Sequence, residues 1–293
     1  MTDARSLTAA LGGRWHGRYG LTCCPAHADR NPSMTLADGS NGQLLLHCKA
    51  GCAFRDIVAA LRRRGLLDAR DRLPPPDPHE IVRRHAADEA AAAKRERQAQ
   101  AIWTEAVPVT GTPAEAYLRG RGITGDLPKT LRYHPECWHG ATASRMPAIV
   151  ARVDGLERLA VHRTYLRLDG RGKADVAPNK AMLGRVAGGA VRLAHGAGPL
   201  VVAEGIETAL SLACGLLRSP AIVWAALSAG GMARLCLPHP PHELLIAADG
   251  DDAGCAAAEA LGKRAASLRW VVRLRTAPDG RDFNDVLRAR RGC

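Results

Sequence analysis

Three acidic residues stand where a parallel sheet would gather them. Glu204 closes the apolar run 200–203, and Asp249 with Asp251 closes the run 244–248. Carboxylates brought to one crevice repel each other, so a cation belongs among them. Hard oxygen donors in a partly open site suit Mg2+ (or Mn2+), which keeps several waters and bridges to substrate phosphate. The alternation Asp249-x-Asp251 can aim two side chains at one ion. A metal held so stabilises charge on a transferring phosphoryl group and activates an attacking oxygen. Taken singly, an Asp-Gly-Asp-Asp string also reads as a plain turn. A second set of residues is softer. Cys24-Pro25-Ala26-His27 and Cys48-Lys49-Ala50-Gly51-Cys52 form two close pairs separated by a spacer. Two such pairs, each on a tight turn and joined by a hairpin, are what a tetrahedral Zn2+ site needs. Cys23 and His47 stand beside these ligands and could compete with them.

The elements that position these groups follow from periodicity. The short apolar runs 200–203, 222–226, 244–248 and 270–274 alternate with helical patterns, as at 256–268. That alternation predicts an α/β unit with a parallel sheet covered on both faces. Its ligand crevice lies at the carboxyl ends of the strands. Around the cysteines, residues 44–46 read as the strand delivering Cys48, with hairpin turns at Asp38-Gly39 and Asn41-Gly42. A helix over 55–66 follows. Residues 73–78 hold four prolines and read as a stiff linker, and 80–106 as one long connector helix with a solvated face. The stretch 107–198 carries a helix at 113–121 and strands at 148–153, 159–166 and 191–194, with basic residues interleaved. Among these, Arg163 and Lys180 are the candidates to face phosphates; an exposed basic sheet face is the other reading.

Composition bounds the rest. Lys plus Arg exceed Asp plus Glu by 41 − 29 = 12 over 293 residues, and 46% of residues are hydrophobic. A chain this basic with ample core predicts a polyanionic partner, nucleic acid above all. Aromatic residues make up 4%, which argues against recognition built mainly on base stacking. No leader pattern opens the chain, and no apolar run reaches the roughly 20 residues that span a bilayer. The expectation is a cytoplasmic protein with no membrane partner, its nine cysteines serving as thiols or metal ligands.

Glu204-Gly205 after one strand and Asp249-x-Asp251-x-Ala253-Gly254 after a later one resemble the Toprim domain of primases, topoisomerases and certain nucleases. Gly280-Arg281-Asp282-Phe283-Asn284-Asp285 resembles the acidic segment that closes the primase version. The resemblance adds Asp282 and Asp285 to the Mg2+ site. It departs at Thr208, where primases usually carry a further acid, and at Asn284. Cys24, Pro25, His27, Asn31-Pro32-Ser33, Cys48 and Cys52 resemble the CHC2-type zinc module of primases, with Cys-x3-Cys where many members have Cys-x2-Cys.

The combined resemblance implies a Toprim-like parallel sheet with helices on both faces. A mixed basic subdomain and a small N-terminal, β-rich zinc module precede it. The boundaries expected are 1–70 for the zinc module, 71–106 for linker and connector helix, 107–198 for the basic subdomain and 199–293 for the Toprim domain. The implied activity is that of a DNA primase, of the kind found on phages, plasmids and other mobile elements. It would build primers on a single-stranded DNA template from nucleoside triphosphates, with a separate replicative helicase. A metal-dependent nuclease and a binding protein that has lost chemistry are the alternatives. Tyr165 raises the topoisomerase reading, but no nucleophile-bearing domain surrounds it.

Overall fold

The computed structural model describes residues 3–29, 31–39, 43–67 and 78–292. The chain divides into two compact units after residue 85. In the first, α1 (Ala4–Ala10) is capped by Asp3, whose carboxylate accepts the Ser6 N–H. Four antiparallel strands follow in order, β1 (Arg14–Trp15), β2 (Gly20–Thr22), β3 (Met34–Asp38) and β4 (Leu44–Cys48), and then α2 (Phe54–Arg63). Met34 and Leu36 point inward at the two-residue period of a strand and meet Ile57, Val58 and Leu61 from α2. A core this small rarely holds a module of fewer than ~70–80 residues without a staple. The proline-rich linker and the Asn41-Gly42 turn lie outside the described residues.

The helix α3 (Pro78–Glu105) crosses the division. Its last turns bring Ala99, Ile102 and Trp103 onto Val150 and Val161. Then come β5 (Val107–Pro108), α4 (Pro113–Gly120), β6 (Leu131–His139), β7 (Ser144–Val153), β8 (Ala160–Tyr165) and β9 (Lys180–Leu183). These five strands form one antiparallel sheet in chain order. Every residue of β8 is buried.

The last third holds β10 (Val191–Ala194), β11 (Leu200–Ala203), α5 (Ile206–Ser211), a π-turn at Leu212–Leu216, β12 (Ile222–Ala225), α6 (Ala229–Arg234), β13 (Glu243–Ala248), α7 (Asp252–Ser267), β14 (Val271–Thr276) and α8 (Phe283–Arg291). The sheet order is β10-β12-β11-β13-β14. Four strands are parallel, and β10 is an antiparallel edge, its Val191 opposite Ala225. Helices cover both faces. Val201 and Ala203 pack with Phe283 and Leu287 of α8, whereas Leu200 and Val202 pack with Leu261 and Ala265 of α7. The first of these cores also takes in Leu131, Ile149 and Ala151, so the two sheets share it. The α/β class expected from the apolar runs is the one observed. From β11 the chain moves to β12 on one side and then to β13 on the other. This reversal opens a crevice at the carboxyl ends of β11 and β13.

Candidate active site

Glu204 directly follows β11, and Asp249 directly follows β13. Ala203 and Ala247 are partners across the parallel ladder, so Glu204 falls opposite Ala248 with Asp249 one residue beyond, and the two carboxylates stand at the ends of adjacent strands. Gly250 lets the next turn pass closely, since a side chain there would meet the Pro278 carbonyl. Two backbone bonds tie this turn to the loop before α8: Gly250 N–H to the Arg281 carbonyl at 2.9 Å and Gly280 N–H to the Gly250 carbonyl at 2.7 Å. Asp251 caps α7, accepting the Gly254 N–H at 2.6 Å. Asp282 caps α8, accepting the Asp285 N–H at 2.8 Å, and Asp285 accepts the Asp282 N–H in return at 3.2 Å.

The electrostatics register the crowding. Burial, then the charges of Glu204, Asp282 and Asp251, push Asp249 up to about 7, against a pull from Lys180. Burial and Asp251 raise Glu204, while the Ala229 N–H and Lys180 draw it down. Asp249 Oδ1 is buried and has no hydrogen-bond partner among the described residues. An orphaned carboxylate oxygen amid like charges is the donor set of a divalent cation, so these residues fit Mg2+. The acids do not close into a compact cage. Among the described residues, the set of three or more ligand atoms within 4.8 Å of one another is the Cys/His set of the first unit.

That set is Cys24, His27, Cys48 and Cys52. His27 Nδ1 lies 3.2 Å from Cys52 Sγ and 3.9 Å from Cys48 Sγ. A tetrahedron with Zn–S bonds of ~2.3 Å has edges of about 3.8 Å, so the spacing and the donors fit zinc. Strand β4 delivers Cys48, and Gly51, at φ +90°, makes the turn to Cys52. Cys23 and His47 lie outside the set. Burial would raise the Cys48 thiol, but the Cys52 N–H, the Ser33 hydroxyl and the Ala50 N–H outweigh it and bring it to about 7. Burial pushes Cys24 up to about 12, with the neighbouring thiols adding to the rise. Behind the ligands, Asp29 Oδ2 accepts the Cys24 N–H at 2.8 Å and the Ser33 hydroxyl at 2.5 Å, and stands 3.7 Å from His27 Nε2.

Of the two basic candidates, Lys180 reaches the crevice, whereas Arg163 turns its terminal N–H groups to backbone carbonyls. Arg163 is 9% exposed and donates to the carbonyls of Trp138 at 3.1 Å and Met182 at 3.4 Å. Lys180 Nζ is 3.6 Å from Glu207, which also holds Lys173 at 3.1 Å and the Tyr117 hydroxyl at 2.8 Å. Glu207 is buried; burial alone would raise it, yet Lys180, Lys173 and Tyr117 hold it far below the usual carboxylate range. Beyond Lys173 opens a cavity of about 530 Å³ lined by Tyr117, Arg121, Asp169, Arg171, Lys173 and Arg288. The Nε atoms of Arg121 and Arg288 are buried without an acceptor among the described residues. This cradle suits an anion, and Arg121 and Arg288 were not singled out in the sequence. The only signal was the pair of basic, glycine-rich strings Arg119-Gly120-Arg121-Gly122 and Gly170-Arg171-Gly172-Lys173.

Residues 199–292 match the family model of the Toprim domain. This stretch is a Toprim domain. Upstream of it, residues 93–193 match a domain of unknown function, DUF7146. Among curated proteins none matches the chain. Similar solved structures include a DNA primase domain from Pseudomonas aeruginosa, 19% identical, covering 67% of this chain and 74% of that one at a TM-score of 0.42. Another holds the zinc-binding and RNA polymerase domains of the Aquifex aeolicus primase, 16% identical, covering 99% of this chain and 80% of that one at a TM-score of 0.42.

The two departures inside the Toprim domain have structural explanations. Asn284 is fully buried and donates to the Arg121 carbonyl at 2.8 Å and to Ser211 Oγ at 2.9 Å. It is a strut joining α8 to the end of α4 and to α5, a task an ionised carboxylate cannot perform as acceptor only. Thr208 is buried on α5. One position earlier, Glu207 carries the charge and gives it to two lysines.

Proposed function

We propose that the chain synthesises short primers on single-stranded DNA by metal-dependent nucleotidyl transfer. The observation that carries this reading is Asp249, whose unpartnered buried oxygen sits among Glu204, Asp251 and Asp282 beside Lys180 in a Toprim domain. Glu204, Asp249 and Asp251 would hold Mg2+ or Mn2+, with Asp282 on their rim and Asp285 engaged in the helix cap. Such an ion, when bound, makes a 3′-hydroxyl easier to deprotonate and neutralises the leaving pyrophosphate. The chain's own part is positioning. Lys180 and Lys173, anchored by Glu207, orient triphosphate oxygens. Arg121 and Arg288, which line the cavity beside Lys173, offer guanidinium groups to phosphates of the template or nucleotide. Arg163 supports the sheet that carries Lys180. The zinc set, Cys24, His27, Cys48 and Cys52, fixes the N-terminal module, whose role is to grip the template.

The excess of 12 positive charges supports a nucleic-acid partner. No helix among the described residues is long and apolar enough to cross a membrane, in keeping with a cytoplasmic site of action. A separate replicative helicase and carriage on a mobile element belong to the same proposal.

The test is a primer-synthesis assay on defined single-stranded templates with Mg2+ and labelled nucleotides. Products longer than a single nucleotide, lost in Glu204→Gln and Asp249→Asn while DNA binding persists, are expected. Shortened template in the absence of nucleotides would make the protein a nuclease. Tight DNA binding with no product under either metal would make it a binding protein.

A further inference from the structure

The parallel sheet ends on an uncovered strand. β14 pairs only with β13, and its outer edge has no partner strand among the described residues. Its six residues span about 20 Å at ~3.3 Å each. The sheets' other edge strands, β1, β4, β5, β9 and β10, have two to five residues. Proteins commonly shorten or cover such edges, because a free row of N–H and C=O groups templates further pairing. Here five of the six residues are exposed, including Val271 at 58% and Leu274 at 53%.

The two faces of β14 differ. Val271, Arg273 and Arg275 share one face, where Arg275 lies over the Phe283 ring at 5.4 Å. Val272 and Leu274 share the other, against α7: a Cβ on Gly262 would lie 3.6 Å from Val272 and 3.9 Å from Leu274. Arg269, Arg273 and Arg275 form no ion pair with any described residue, and β14 itself carries no acid. The acids close by are Glu243, across the ladder from Val271, and Asp279 in the turn beyond β14.

We infer that β14 is a docking edge for an extended acidic segment of a protein partner, which adds to the sheet as a further strand. Backbone groups supply the pairing, and alternation supplies the choice of partner. Carboxylates at every second residue would meet Arg273 and Arg275 on one face. Aliphatic side chains between them would cover Leu274 and Val272 on the other. A second copy of this chain fits poorly, since antiparallel self-pairing sets arginine against arginine. A phosphate backbone would use the arginines but leave the aliphatic groups and the free N–H row unmatched. The inference is independent of the primase reading.

The experiment uses the full chain and a fluorescein-labelled peptide of four Glu-Val repeats, followed by anisotropy. Binding in the range of about 10–100 μM is expected, weakened about tenfold or more in the Arg273→Glu/Arg275→Glu variant. Because both positions are exposed, the variant should stay folded, its melting temperature lowered only by the lost Arg275 contact with the Phe283 ring. A second variant, Leu274→Lys, tests the aliphatic face and should also weaken binding. A peptide N-methylated at every residue, which has no N–H on either edge to complete the ladder, should fail to bind. Equal binding by the double-arginine variant, equal binding of the N-methylated peptide, or no binding at ~1 mM overturns the inference. So does sedimentation showing a wild-type dimer that the double variant dissolves, since that makes the edge a self-association surface.

Discussion

At the scale of single residues, two carboxylates, Asp29 half-buried and Glu207 buried, set the chemistry of both sites. Asp29 touches the zinc set through the Cys24 N–H, the Ser33 hydroxyl and the His27 ring without lending it a ligand atom. Partners of this kind orient metal ligands, and losing one weakens metal affinity by about 10–100-fold. Asp29→Ala should therefore lose zinc to a competing chelator at a correspondingly lower concentration, and Asp29→Asn, which keeps an acceptor, should recover part of the difference. Glu207 balances Lys173 and Lys180 inside the second unit. Removing one partner of a buried pair strands the others, so Glu207→Ala should reduce stability to urea by about 3 kcal/mol. The pH dependence follows from the sign of the shift. Its carboxyl is held below the ordinary value, so the stabilisation is complete at neutral pH. It declines as the solution is acidified below about 4.3, the unperturbed Glu value, and is gone below the folded one. Urea melts of both proteins should converge on acidification; a gap that widened instead would assign the wrong charge state.

At the scale of elements, the two aspartate loops of the crevice are fixed by the helices that follow them. Asp251 and Asp282 both serve as N-caps, so each carboxylate bonds a backbone N–H and is held at the crevice rim by it. Asp285 completes the cap of α8 and has one oxygen committed to the Asp282 N–H. Asp285→Ala should cost about 1 kcal/mol in thermal or chemical unfolding. Nucleotide incorporation should fall far less than in Asp249→Asn. Asp282→Ser separates the two roles at its position: it keeps a capping oxygen, so stability should hold. It also removes a charge acting on Asp249, so calorimetric affinity for Mn2+ should fall.

At the scale of the whole molecule, the two units have cores of their own, and one of them is small enough to depend on a metal held by its Cys/His set. Scanning calorimetry should show two transitions, with a zinc chelator shifting only the one that belongs to the N-terminal module. The charge excess predicts salt-sensitive binding to single-stranded DNA, and Arg121→Ala should lower the slope of log affinity against log salt by roughly 0.7 if its donor meets one phosphate. What the sequence determined by itself was local. The period of the apolar runs placed Glu204 and Asp249 at strand ends, and the Cys-x2-His and Cys-x3-Cys spacings picked out the zinc set without its partner Asp29. Such signals are legible because strand, turn and ligand geometry depend on near neighbours in the chain. Tertiary structure decided the rest. Glu207 meets Tyr117 across 90 positions, and Asn284 meets Arg121 across 163. No periodicity records such contacts. Arg163 and Lys180 look alike as basic residues flanking apolar ones. The two lie on opposite faces of the antiparallel sheet: Arg163, opposite Val150, is on the face packed under α3 and turns to backbone carbonyls, whereas Lys180, opposite Thr164, is on the face toward the acids. Which charges end up solvated, paired or stranded depends on the packing of distant segments, and only the folded chain brings those segments together.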